Sequence, residues 1–160
     1  MTIIDLLKKL KQYPLGDNSI YDVLAQHLFH IGPDYYDYAA ALSEQSLHRG
    51  GTIRHGFYCS ICLRREGPGI LGLRFKCLSC LVTDLCADCH AAWKNSKGEM
   101  DFCNGHVFYE IPRPCWYQFE EGVVLENGST LSEMIDFLEE KFAALLKITI
   151  GEEISTDLST

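Results

Sequence analysis

The sequence predicts an α+β protein. A cysteine-rich middle, with short antiparallel strands and one short helix, is inserted between helical amino- and carboxy-terminal segments that pack together. Three observations carry this reading. Seven of the eight cysteines and one histidine fall into four close pairs between Cys59 and His106. The first fifty residues repeat apolar side chains at helical spacing. Residues 131–146 carry a wide apolar stripe that must be buried on something.

In the amino-terminal segment, Ile3, Leu6, Leu7 and Leu10 share one face of a first helix, with Lys8, Lys9 and Lys11 on the other side. Thr2 is placed to cap this helix, and Pro14 with Gly16 ends it. A second helix is expected from about Asn18 to His30. Ser19 followed by Asp22 resembles a capping box, and Ile20, Val23, Leu24 and Leu28 form its stripe. Gly32-Pro33 interrupts the chain, and proline suits the first turn of a third helix. That helix carries Tyr35, Tyr38, Ala39 and Leu42 on one side and stops near Arg49-Gly50-Gly51. Three short helices make a core too small to be more than marginal alone.

The middle holds the pairs Cys59/Cys62, Cys77/Cys80, Cys86/Cys89 and Cys103/His106. Each pair offers two donors within reach of one tetrahedral metal, and eight donors are the number that two structural zinc ions need. The competing explanation is a secreted disulfide scaffold. Asp5, Lys8 and Lys9 interrupt the first apolar run, so it does not read as a signal peptide. No stretch has the apolar length of a membrane span. Closely paired thiols in a reducing compartment indicate metal, which places the chain in the cytoplasm or nucleus. Extended pieces are expected at residues 56–58, 73–76 and 107–111. Asp84 is expected to cap a helix from Leu85 to about Lys94, and Pro112 and Pro114 punctuate the exit.

Thr130 and Glu133 form a T-x-x-E capping box ahead of the strongest helix signal in the chain. Leu131, Met134, Ile135, Leu138, Phe142, Leu145 and Leu146 line one face, and Asp136, Glu139, Glu140 and Lys141 lie mostly opposite. The helix is expected over about 131–147, with a frayed tail from Gly151 to Thr160. The other apolar faces without a partner belong to Leu6, Leu7, Leu10, Leu24 and Leu28, so the helix is expected to fold back onto them. The chain thus divides into a helical segment at 1–50, a metal segment at 51–116 and a linker, helix and tail at 117–160. A monomer is preferred over a homodimer through the last helix.

The formal net charge of −8 grows more negative once zinc-bound thiolates are counted. That weighs against a binder of nucleic-acid phosphates, and favours basic partners such as peptide tails or free amino termini. Arg64, Arg65, Arg74 and Lys76 form a local basic cluster, taken as a solvated face. His55 reads as a hydrogen-bonding structural residue, His27 and His30 as ordinary helix histidines, and Cys115 as a spare buried thiol. The tyrosines at 35, 36 and 38 read as core and rim packing. Catalytic zinc keeps an open coordination position; both donor sets here are full, so no enzyme is expected.

The run His55-Gly-Phe-Tyr-Cys59-Ser-Ile-Cys62, then Gly72-Leu-Arg74-Phe75-Lys76-Cys77-Leu-Ser-Cys80, then Asp84-Leu85-Cys86-Ala-Asp-Cys89, resembles the ZZ-type zinc finger over about residues 55–111. Spacing alone also allows the pairs to be used sequentially. The resemblance implies a cross-brace: Cys59, Cys62, Cys86 and Cys89 on one zinc, and Cys77, Cys80, Cys103 and His106 on the other. Cys103 stands where the family has the first of two histidines, and a Cys3His set is an ordinary structural site. His90, expected on the helix surface, is the rival for that position. Relatives that bind peptide amino termini carry acidic residues where this chain has Ser60 and Val82; Asp84, Asp88 and Glu66 are the remaining candidates for partner contact. The function implied is a zinc-stabilised module that binds a peptide or protein. Two alternatives are a RING-like ubiquitin-ligase module and a purely structural or oligomerisation domain of a larger assembly. The RING pattern has a histidine among its middle ligands and a shorter gap before the third pair, unlike Cys80 and Cys86 here.

Overall fold

The computed structural model describes residues 2–12, 19–47, 52–62, 69–96 and 102–156, with side chains up to Lys147. Pro14, Gly16, Asn18, Arg49, Gly50, Gly51, Arg64, Arg65 and Glu66 lie outside the described residues.

Helix α1 spans Ile3–Gln12. The Thr2 hydroxyl accepts from the Asp5 amide at 3.2 Å, and the Asp5 carboxylate accepts from the Thr2 amide at 2.9 Å, so the cap is reciprocal. Helix α2 spans Ser19–Ile31 and buries Tyr21, Leu24, Ala25, Leu28 and Phe29. The expected stripe is therefore rotated: Val23 is exposed and Tyr21, Ala25 and Phe29 face inward. A 3-10 turn at Pro33–Tyr35 leads into α3, Tyr36–Gln45. The alanines at 39, 40 and 41 are all fully buried, which lets α3 sit deep among its neighbours.

Helix α5 begins at Leu131 behind the expected capping box, with Thr130 and Glu133 bonded reciprocally at 2.8–3.3 Å. Met134, Ile135 and Leu138 join Leu6, Leu7, Leu10, Leu24 and Leu28 in one core, so the two ends of the chain meet as expected. Lys11 on α1 pairs with Asp136 and Glu139 on α5. The stripe does not stay buried to its end: Phe142 is half-buried, and Leu145 and Leu146 are exposed. The helix also runs on to Thr156 rather than stopping near 147. No proline follows Lys147, and a single interior glycine such as Gly151 costs only about 1 kcal/mol.

Between these helices lies a three-stranded antiparallel sheet in the order β2-β1-β3, from β1 (Arg74–Cys77), β2 (Asp84–Cys86) and β3 (Phe108–Ile111). Helix α4 follows β2 directly at Ala87–Asn95. Asp84 is thus a strand residue and not the expected helix cap; the cap position is held by Cys86 without a side-chain hydrogen bond. The strand expected at 56–58 is replaced by a backbone clasp. His55 donates to Ile70, Ile70 to Phe57 and Gly72 to Ile53, at 2.8–3.0 Å. Gly69, at φ +82, is needed there, because a Cβ would lie 2.3 Å from the His55 carbonyl oxygen. The sheet is not a separate body. Ile111 is fully buried in the helical core, and Tyr109 packs against it while donating to Asp37 on α3 at 2.7 Å.

Candidate metal centres

Strand β1 carries the site. Cys77 closes it, and Cys80 sits in the turn that leads to β2. Cys86 closes β2 opposite Arg74, at the other end of β1. One donor pair therefore falls at each end of the central strand. Cys89 is in the first turn of α4, beside Cys86. The Ser60 amide donates to the Asp84 carbonyl at 2.8 Å, which docks the Cys59/Cys62 knuckle against β2. At the far end the Leu78 amide donates to the Val107 carbonyl at 2.9 Å and brings the Cys103/His106 knuckle alongside Cys77. Cys103 itself adopts a left-handed φ of 52° to turn its sulfur inward.

Two four-donor groups result: Cys59, Cys62, Cys86 and Cys89, and Cys77, Cys80, Cys103 and His106, each with all donor atoms within 4.8 Å of one another. Tetrahedral zinc, with bonds of about 2.3 Å to sulfur and 2.0–2.1 Å to nitrogen, separates its donors by roughly 3.5–3.8 Å. In the second group the Cys80 and Cys103 sulfurs are 3.6 Å apart, and His106 Nδ1 lies 3.4 Å from the sulfurs of Cys77 and Cys80. The donor chemistry and spacing fit zinc in both groups, and the pairing is the crossed one, first pair with third and second with fourth. Burial raises the Cys59 thiol, but the backbone amides of Cys62, Cys86 and Ile61 outweigh it and bring Cys59 down to about 7. Burial and the neighbouring thiols push Cys103 up to about 12. Zinc binding at these cysteines would therefore be accompanied by proton release.

His90 is in neither group. It is not on the surface either: its ring is buried and stacks on Phe75 at 3.7 Å between centroids, next to Trp93. His55 is buried and bonds the Gly72 carbonyl at 2.8 Å, the structural role expected of it. His27 and His30 are exposed on α2, and Cys115 is half-buried.

Arg74 and Lys76 are not a solvated face. They are 1 % and 2 % exposed. The Arg74 Nε donates to Asp84 at 2.7 Å, and its guanidinium lies 3.5 Å from the centre of the Phe57 ring. Lys76 Nζ donates to the carbonyls of Cys80 and Leu81, both at 2.8 Å, and so fastens the second knuckle. Asp84, expected at the partner surface, is instead buried beneath Arg74. Asp88 is exposed on α4, and Glu66 is outside the described residues.

Sequence reasoning missed a second buried pair. Arg113 Nη2 donates to Glu44 at 2.7 Å and to the Val124 carbonyl at 2.6 Å, and the Arg113 amide donates to the same carboxylate at 2.6 Å. The partners are 69 residues apart, and no local pattern links them.

The family model of the ZZ-type zinc finger matches residues 53–100 of this chain. No curated protein and no solved structure matches it. The matched span holds Cys59, Cys62, Cys77, Cys80, Cys86 and Cys89. Cys103 and His106, a donor pair expected from its spacing, lie beyond it, and the fold brings them into the second group.

Proposed function

We propose that the chain is a zinc-braced protein-interaction module, without catalysis of its own, that engages a basic segment of a protein partner. The observation that carries this reading is where the charges lie. Arg74, Lys76 and Arg113 are buried on internal acceptors, and although Lys8, Lys9, Arg54, Lys94 and Lys147 are exposed, Glu120, Glu121, Glu126, Glu133 and Glu140 are exposed together along the loop before α5 and on α5. With a formal net charge of −8, such a surface repels phosphate backbones and draws in lysine- and arginine-rich segments. Each metal group has four protein donors, so a zinc ion held there has no position open to a substrate. Fingers of the matched family generally mediate protein contacts, which supports an interaction role. No helix among the described residues is long and apolar enough to cross a membrane.

A free amino terminus is less favoured than an internal basic segment. Asp84 is buried on Arg74, Ser60 accepts from the Asp84 amide at 3.3 Å, and Val82 is uncharged. Among the described residues of the matched span, Asp88 is the one exposed carboxylate. The test is calorimetric titration of the zinc-loaded chain with a lysine-rich peptide, the same peptide acetylated at its amino terminus, and a glutamate-rich peptide. Both basic peptides should bind with similar affinity, weakening as salt is added, and the acidic peptide should not bind. Equal behaviour of basic and acidic peptides would overturn the reading.

A further inference from the structure

We propose that the cavity between the end of α3, the Trp116 turn and the start of α5 receives a lysine or arginine side chain of the partner's basic segment. This rests on the basic-partner reading above, and it places the segment on the helical body rather than on the finger. The cavity has a volume of about 430 Å³, within the usual range of small-ligand sites. Leu47, Trp116, Val124 and Leu131 supply an apolar wall, and Glu44, Gln45 and Glu121 supply the polar lining. That combination suits a side chain with a hydrocarbon stem and a cationic head.

Among the described residues the polar lining offers acceptors and one formal charge with no cation bonded to it, that of Glu121. No lysine, arginine or histidine is among the described residues that line it. Arg113, which is bonded to Glu44, is held by that carboxylate and by the Val124 carbonyl. Glu121 is exposed at the rim and has no cation bonded to it among the described residues. The Gln45 amide nitrogen donates back to Ala41 at 2.9 Å, so the group it can offer a ligand is its oxygen. The carboxy-terminal end of α3, with its partial negative charge, lies at the same place.

The walls are fixed in advance. Trp116 is 3 % exposed and is braced by an edge contact with Tyr117 at 4.9 Å. The loop carrying Glu121 is closed by hydrogen bonds from Val123 to Glu120 and from Val124 to Ser129, at 3.1 and 2.9 Å. A ligand entering such a site has little ordering of the protein to offset.

The chain has two tryptophans, Trp116 at the cavity and Trp93 in the finger, which separate the possible outcomes. The zinc-loaded, ¹⁵N-labelled chain is titrated with a capped tetralysine peptide and with its Nε-acetylated form, and both indole N–H resonances are followed. The lysine peptide should move the Trp116 resonance and leave Trp93 in place, and the acetylated peptide should move neither. Glu121→Lys should weaken binding about tenfold, as expected for loss of a charge-assisted contact. Glu140→Lys, an equal charge change on the exposed side of α5, should weaken it less. If the peptide moves Trp93 instead, or if both variants weaken it equally, the cavity assignment fails while the basic-partner reading stands. If no lysine peptide binds at all, both fail.

Discussion

The helical body and the finger are held together by different means. Among the described residues, the body buries 22 side chains in one apolar cluster, from Leu6 to Leu138. The finger's own cluster has four buried members among the described residues: Cys59, Ile70, Phe75 and Leu85. Around those four, the finger buries His55, Arg74, Lys76, Asp84 and His90, each bonded or stacked within the fold. Where too little apolar surface can be buried, metal ligation and internal hydrogen bonds take its place. The two regions are nonetheless joined, because Ile53 and Ile111 lie at the edges of the finger and in the core of the body.

The largest expected effect is that of removing metal. Structural zinc in small modules contributes apparent binding free energy on the order of 10 kcal/mol, comparable with the whole stability of a domain. Chelation should release two zinc ions per chain and abolish hydrogen-exchange protection in β1, β2 and α4. Because Ile111 belongs to the body's core, α2 and α3 should lose part of their protection as well. Full retention of protection there would show that the two regions are independent.

Breaking the buried ion pair comes next. Arg113→Leu takes the guanidinium away from the Glu44 carboxylate, a residue at 2 % exposure, and urea unfolding should show a loss of about 3–5 kcal/mol. Replacing both partners with leucine should recover much of it. A single variant as stable as the parent would mean that the pair does not hold the linker to α3.

Packing in the body can be graded along α5. Leu138→Ala, at a position with no exposure, should cost about 2–5 kcal/mol in the same measurement. Leu145→Ala, at 46 % exposure, should stay within about 0.5 kcal/mol. Similar losses at both would mean that the exposed end of the helix is covered in solution.

The smallest effect tests the seam between the regions. Burial lifts the Asp22 carboxyl to about 6, with nearby Asp84 also raising it and Arg74 acting against. A Cβ at Gly56 of the finger would lie 3.9 Å from this carboxylate. Since the folded pKa is above the unfolded one, the stabilising contribution is complete below about pH 3.8 and is lost as pH rises through about 6. Asp22→Asn should therefore raise stability at pH 7–8, by about 1 kcal/mol after allowance for solvent screening. The advantage should shrink as pH falls through about 6 and disappear below about pH 3.8 in thermal melts. A constant difference across this range would show that Asp22 titrates normally.

What could be read from the sequence was what repeats or caps. The four donor pairs, the boxes at Thr2 and Thr130, and the stripe through Met134, Ile135 and Leu138 depend on short spacings that survive folding. What could not be read was set by distant partners. Arg74 and Lys76 look solvated until Asp84 and the Cys80–Leu81 carbonyls close around them. His90 looks exposed until Phe75 covers it. Asp84 has the chemistry of a helix cap, but pairing of β2 with β1 claims its backbone first. The cavity beside Trp116 draws its walls from residues 44–47, 116 and 121–131, which no local pattern associates.

The meeting of α1 with α5 also has a consequence for how the protein is made. Lys11 and Glu139 are separated by 128 residues. At roughly 5–20 residues per second, a ribosome needs several seconds or more between the two. Throughout that interval the apolar face of α1 has no α5 to cover it, and the cysteine-bearing segment emerges partway through it. The time that α5 takes to follow the cysteine-bearing segment out of the ribosome then decides how long the nascent chain exposes part of the Leu6, Leu7 and Leu10 face to chaperones and to other unfinished chains.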